Sequence, residues 1–184
     1  ETTGLPKNYK APVSDLKNWP RMIQIAWQCY NNKEKLIDEK CFIIKPEGFK
    51  IPKEASDVHG ITTELAKIKG TDLKIVLAIF SEVLSKTEIL VAHNMSFDEK
   101  IVGAEFLREQ IKNNLSEVKK ICTKEASTDF CQIPSNYGYK WPNLTELHKK
   151  LFKKGFKEAH NALGDVKACA NCFFELKKLK VIQL

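Results

Sequence analysis

Between Arg21 and Lys45 the chain alternates apolar and polar residues with a period of two, which suits an extended strand and no helix. Ile23, Ile25, Trp27 and Cys29 share one face of the first segment. Ile37, Cys41 and Ile43 repeat the period across Lys35 to Lys45, and the polar Asn31-Asn32-Lys33 lies between. The pair predicts an antiparallel hairpin. Downstream the period changes: Leu73, Val76, Leu77, Phe80, Val83 and Leu84 recur at helical spacing, and Ile89 to Ala92 then reads as a strand buried on both faces. A helix feeding a buried strand implies α/β layering.

The rest of the chain continues that alternation. Ile101, Ala104, Leu107 and Ile111 predict a helix from Phe97, and Val118 to Thr123 a short strand. Ser127 to Pro142, with Pro134, Gly138 and Pro142, reads as a long loop. A short helix over Leu144 to Phe152 and a final one marked by Val166, Cys169, Phe173, Leu176 and Leu179 complete the pattern. The expectation is a single α/β domain over 1–184, a mixed central sheet with the hairpin at one side and helices flanking it.

Composition narrows the function. With 43% hydrophobic and 29% charged residues, 8 Gly and 7 Pro, the chain is neither collagenous nor low in complexity nor wholly disordered. Its longest apolar runs fall far short of the roughly 18 residues a membrane span needs, so a soluble, cytoplasmic protein with no membrane partner is expected. The formal charge of +7 permits a polyanionic partner such as nucleic acid. Six cysteines are expected as reduced thiols. Cys169 and Cys172 form a C-x-x-C inside a helical stretch, with no second close pair to complete a zinc site.

Three distant stretches combine acids with turn chemistry. In Glu1-Thr2-Thr3-Gly4-Leu5-Pro6 an acid precedes a glycine that lets a ligand approach the backbone. In Val91 to Asp98 a strand runs out and an acid appears in the first turn of the next helix, where ligands bind in open α/β sheets. His160-Asn161-Ala162-Leu163-Gly164-Asp165 is the third. Were it all helical, His160 and Asp165 would point about 140° apart. With Asn161 as N-cap, His160 sits on the preceding loop and is free to turn toward the face of Asp165.

Together E-T-T-G-L-P, H-N-x-x-F-D and H-N-A-L-x-D resemble, in order and spacing, the three motifs of the DEDDh exonuclease family. That family includes the proofreading epsilon subunit of bacterial replicative DNA polymerase, ribonuclease T and oligoribonuclease. Val58-His59-Gly60-Ile61-Thr62 is similar to the family's H-G-I segment. Trp19 to Trp27 resembles a segment of bacterial members, with Gln24 a candidate neighbour of the substrate. The family's first motif is D-x-E, and this chain opens at the glutamate. The chain lacks an initiator Met, so the strand carrying that Asp is expected to have been trimmed away.

The resemblance implies a ribonuclease H-like fold and a metal-dependent 3′-to-5′ exonuclease releasing 5′-mononucleotides from DNA or RNA. Glu1, Asp98 and Asp165, with the upstream Asp, would hold two Mg²⁺ or Mn²⁺ ions per site. His160 would be the general base. Thr2, Thr3, Gly4, His59, Asn94 and Phe97 would line the terminal-nucleotide pocket. The implied partners are single-stranded nucleic acid or 3′ ends, with a DNA polymerase subunit as a further candidate. Lys149, Lys150, Lys153, Lys154 and Lys157 would track the substrate backbone, and the loop Tyr137-Gly138-Tyr139-Lys140-Trp141 would stack bases. His93 is expected to be structural, and His148 is assigned no role. Two alternatives stand beside this: a catalytically silent nucleic-acid-binding or polymerase-associated module, and an endonuclease on the same fold.

Overall fold

A computed structural model describes residues 1–156 and 161–184. The hairpin forms as β1 (Gln24–Tyr30) and β2 (Leu36–Ile43), antiparallel, with Ile25 opposite Phe42. Asn31 sets the turn, its Oδ1 accepting from the N–H groups of Lys33 and Lys35 at 3.0 Å each. Ile23, Ile25 and Trp27 are buried, and the Trp27 ring packs 5.7 Å from Phe42 and 5.1 Å from Phe80. For β2 the period holds but the face is the opposite one. Phe42 turns to the main core, while Ile37 is 63% exposed and Cys41 is also exposed. β2 pairs only with β1 among the described strands.

Short helices α1 (Lys53–His59) and α2 (Thr63–Lys69) enclose a small core of Ile23, Ile51, Ala55, Ile61 and Ala66. Helix α3 (Leu73–Leu84) buries the predicted stripe, and its N-cap Asp72 accepts from the N–H groups of Lys74 and Ile75 at 2.8 and 3.2 Å. Strand β3 (Ile89–Ala92), helix α4 (Met95–Arg108) and strand β4 (Lys119–Cys122) form a parallel crossover unit, with Ala92 opposite Cys122. β3 is half-buried at each position instead of sealed on both faces. In α4 Ile101 and Ala104 are buried, but Leu107 is 47% exposed and Ile111 lies past the helix end. The place in the core that Leu107 was expected to fill belongs to Glu105.

The expected long loop is partly ordered. It holds the single-turn helices α5 (Thr123–Ala126) and α6 (Thr128–Cys131) and a minimal hairpin of β5 (Pro134–Ser135) and β6 (Gly138–Tyr139). Helix α7 (Leu144–Phe152) opens with a reciprocal capping box between Asn143 and Glu146. Helix α8 (Ala162–Lys178) lies against β1, β2 and β3.

The mixed central sheet is present as separate pieces. Among the described residues β1–β2, β3–β4 and β5–β6 are each two-stranded, and α8 packs across the first two. Glu1 to Thr3 add an extended stretch along the residues that lead into β1. Among the described residues no helix is long and apolar enough to cross a membrane. All six cysteines are unbridged. Burial pushes the thiols of Cys169 and Cys172 up to about 12, so both carry their protons.

Candidate active site

The first acid is fixed by backbone pairing. Thr2 bridges Met22, and the Glu1 carbonyl accepts from the Ile23 N–H at 2.8 Å and the Gln24 N–H at 3.2 Å. The Thr3 N–H donates to the Arg21 carbonyl at 2.9 Å, and its hydroxyl accepts from the Arg21 N–H at 2.9 Å. Thr3 therefore has no N–H left for a ligand. Gly4 is different. Its φ is +147°, and a Cβ built there would meet nothing within 4 Å, so its backbone is open to close approach.

The second acid follows β3. Asn94 adopts the left-handed conformation (φ 80°, ψ 46°) that turns the strand into α4, and Asp98 lies in the helix's first turn. Asp98 keeps a solvent-exposed edge while protein crowds its carboxyl. That desolvation pushes its pKa up to about 7. The Glu1 carboxylate adds to the rise, and Lys124 opposes it. Phe97, beside it, packs on the main core, its ring 6.5 Å from Tyr9.

The third acid, Asp165, stands in the first turn of α8. Asn161 caps that helix, its side chain accepting from the Leu163 N–H at 3.1 Å. Cys169, one turn further along, feels both Asp98 and Asp165. Gln24 ties β1 to the same end of α8, its Oε1 accepting from the Ala162 N–H at 3.4 Å. Glu1 is thus within electrostatic reach of Asp98, and Cys169 within reach of both Asp98 and Asp165.

His59 closes α1 beside Glu1. Its Nδ1 accepts from the Ile61 N–H at 3.1 Å, and its ring lies against the Thr2 backbone. Burial lowers its pKa, and the Glu1 carboxylate opposes the shift. His160 and Lys157 lie outside the described residues. Lys149, Lys150, Lys153 and Lys154 are exposed, as are Tyr137, Tyr139 and Trp141. His148 is buried, its Nδ1 2.9 Å from the Lys154 carbonyl and its ring against Phe152 and Phe156.

Whether these acids fit a metal depends on donor type and spacing. Three carboxylates offer only hard oxygen, and a carboxyl with a raised pKa gains from a neighbouring cation. The donor chemistry fits Mg²⁺ or Mn²⁺. The set is open, however: among the described residues no three His, Cys, Asp or Glu side chains are grouped closely enough to hold an ion by themselves.

Under the acids runs a polar chain that explains His93. Its Nε2 lies 3.1 Å from the Pro142 carbonyl and its Nδ1 3.0 Å from the Thr123 hydroxyl. A carbonyl only accepts, so Nε2 carries the proton and Nδ1 receives the Thr123 O–H. Burial pushes the His93 pKa down to about 4. The bond to Pro142 opposes this, and the Lys124 charge adds to it. A folded pKa below the unfolded value near 6.5 means that stability is complete above pH 6.5 and is lost as pH falls toward 4. His93→Gln should flatten that acid limb by about 2 kcal/mol, read as the difference between urea midpoints at pH 7 and 4.5. Equal acid slopes for the two proteins would contradict the neutral, buried His93. Asp98 has the opposite sign and cancels in the comparison.

Sequence reasoning missed two residues here. Lys124 follows β4 just as Asp98 follows β3, so the rule about carboxyl ends of parallel strands would have found it. Its Nζ donates to Asn94 Oδ1 at 2.5 Å. Glu105 showed itself only as an acid set among buried apolar positions.

The RNase T family model, described as Exonuclease, matches residues 1–173. A search of curated proteins gives no significant match. Among solved structures, the chain is similar to E. coli exonuclease I in complex with a dT13 oligonucleotide, at 19% identity and a TM-score of 0.75, over 97% of this chain and 39% of that one. It is also similar to the zinc-ion-bound form of the E. coli exonuclease I–single-stranded DNA complex, at 20% identity and a TM-score of 0.74, over 98% and 39%. The chain spans about two fifths of the length of those proteins. At such identities the likeness establishes the ribonuclease H-like fold, and the family model, covering nearly the whole chain, establishes the lineage: the chain belongs to the exonuclease family.

Proposed function

We propose that residues 1–184 form a single metal-dependent 3′-to-5′ exonuclease domain of the DEDDh type, which removes 5′-mononucleotides from single-stranded nucleic acid in the cytoplasm. One observation supports the reading: the chain matches the exonuclease family over residues 1–173, and in it Asp98 is within electrostatic reach of Glu1 and shares a neighbour, Cys169, with Asp165. In this reading the three carboxylates, with an Asp two residues before Glu1, hold two divalent ions. When bound, Mg²⁺ or Mn²⁺ supplies charge neutralisation at the phosphate and eases ionisation of water.

The protein's own groups do the rest. His160 takes the proton from the attacking water, whose oxygen bonds to phosphorus as the bond to the 3′-oxygen breaks, and that oxygen keeps the electron pair and takes a proton from solvent to become the new 3′-hydroxyl. Gly4 and Thr2 border the terminal nucleotide, with Thr3 holding the wall through Arg21. His59, beside Thr2, borders it too, and Asn94 and Phe97 close the far side. The lysine run before His160 would draw in the strand.

Incubation with Mg²⁺ and a 5′-labelled single-stranded oligonucleotide should give a ladder of shortened products that EDTA abolishes. The E. coli exonuclease I complexes make oligothymidylate the first substrate to try, with the matched RNA beside it. A single internal cut that leaves the 3′ end intact would overturn the assignment. A silent nucleic-acid-binding or polymerase-associated module is the second reading. It is favoured by the open spacing of the acids among the described residues. It predicts oligonucleotide binding with no ladder at any Mg²⁺ or Mn²⁺ concentration.

A further inference from the structure

Lys124 stands at the carboxyl end of β4, and Asp98 beyond the carboxyl end of its parallel neighbour β3. An ammonium has three donors. One goes to Asn94 Oδ1 at 2.5 Å, and the nitrogen lies 4.3 Å from the centroid of the Trp141 ring. Trp141 is 61% exposed, yet the next residue, Pro142, is buried and its carbonyl is held by His93 at 3.1 Å. An indole left in water on a fixed stem contributes little to the protein's own core. Beside a half-buried ammonium it matches the pairing of ring and cation that single-stranded nucleic acid recognises.

We propose that Lys124 and Trp141 clamp one nucleotide of a single strand next to the one being removed, the indole stacking on its base and the remaining ammonium donors meeting its phosphate. The clamp rests on the exonuclease reading and adds to it the residues that hold the neighbouring nucleotide. Every base has a π face, so the clamp tolerates any sequence. A base inside a duplex has both faces covered by its neighbours, so the clamp accepts only unpaired strand.

Trp141 also provides the readout. The protein has three tryptophans, and Trp19 and Trp27 are 3% and 7% exposed, which leaves Trp141 as the solvent-facing emitter. In EDTA, oligothymidylate should quench the tryptophan emission of the wild-type protein, and a blunt duplex should not. Trp141→Leu should remove the quench and weaken binding about tenfold. Lys124→Gln should lower the slope of log affinity against log salt by about 0.7, and Lys124→Arg should restore it. No oligothymidylate binding, binding without a quench, an equal quench by the duplex, or wild-type affinity and slope in Lys124→Gln would each overturn the clamp. The exonuclease reading is tested separately with wild-type protein, Mg²⁺ and the p-nitrophenyl ester of thymidine 5′-monophosphate, which carries no neighbouring nucleotide. Failure to hydrolyse that ester in Mg²⁺, by a protein preparation that shows the quench in EDTA, removes the exonuclease reading and leaves a binding clamp.

Discussion

Asp98→Asn should lower nucleotide release by about 10³-fold or more, equivalent to about 4 kcal/mol of lost transition-state stabilisation, while making the metal-free protein more stable. The two effects have one origin. The Asp98 carboxyl is crowded by protein and faces Glu1, so its folded pKa rises to about 7 from an ordinary value of 3.8. Between those values the folded state holds a proton that the unfolded state has released, so stability falls as pH rises through that window. Asn carries no charge and escapes the cost. Its exposed edge screens part of the effect, so the gain should be about 1–2 kcal/mol at pH 8, fading toward pH 4. The measurements are product release with Mg²⁺ and thermal unfolding in EDTA at both pH values. Retained turnover would remove Asp98 from the site, and a variant less stable than wild type at pH 8 would show that the carboxylate is satisfied without a cation.

Glu105→Ala should unfold the protein about 3–5 kcal/mol more easily, a fall in Tm of roughly 10 °C for a chain of this size. The Glu105 carboxylate is fully buried in α4. It accepts from Arg21 Nε at 3.0 and 3.2 Å and from the Met22 N–H at 2.8 Å, and pairs with Arg108 Nη1 at 3.2 Å. Removing it leaves the buried Met22 N–H and the inward edges of two guanidinium groups without their acceptor, although Arg108 keeps the Leu16 and Trp19 carbonyls, and that costs more than the pair contributes while intact. Glu105→Gln keeps an acceptor for Met22 and should cost less than the alanine change. Thermal unfolding by circular dichroism decides it, and a change below about 1 kcal/mol would contradict the buried network. Glu105 also joins the helix that carries Asp98 to the segment that pairs with Glu1. The alanine variant should therefore lose activity even below its Tm.

What could be read from the sequence is what short-range chemistry determines. Asn161 announced the start of α8, and with it the placement of Asp165, because an N-cap is a local hydrogen bond to a nearby N–H. The stripe from Leu73 to Leu84 announced α3 because one face of one helix buries it. β2 shows where that reasoning stops. Its alternation was legible, yet which face meets the core depends on what covers the hairpin, and that is settled by distant helices. Glu105 marks the same boundary, since nothing near it in the chain names Arg21 as its partner. His160, on which the proton-transfer proposal depends, lies outside the described residues.

Asn94 carries a consequence of its own. Most side chains resist a left-handed backbone, and Asn is among the few that accept one. At this turn the chain's geometry has already narrowed the admissible alphabet to a handful of letters before any nucleotide arrives. Among those letters only one with an amide oxygen or a carboxylate can also receive the Lys124 ammonium. Asparagine here thus answers two demands at once, and Asn94→Gly would separate them by keeping the bend while releasing the lysine.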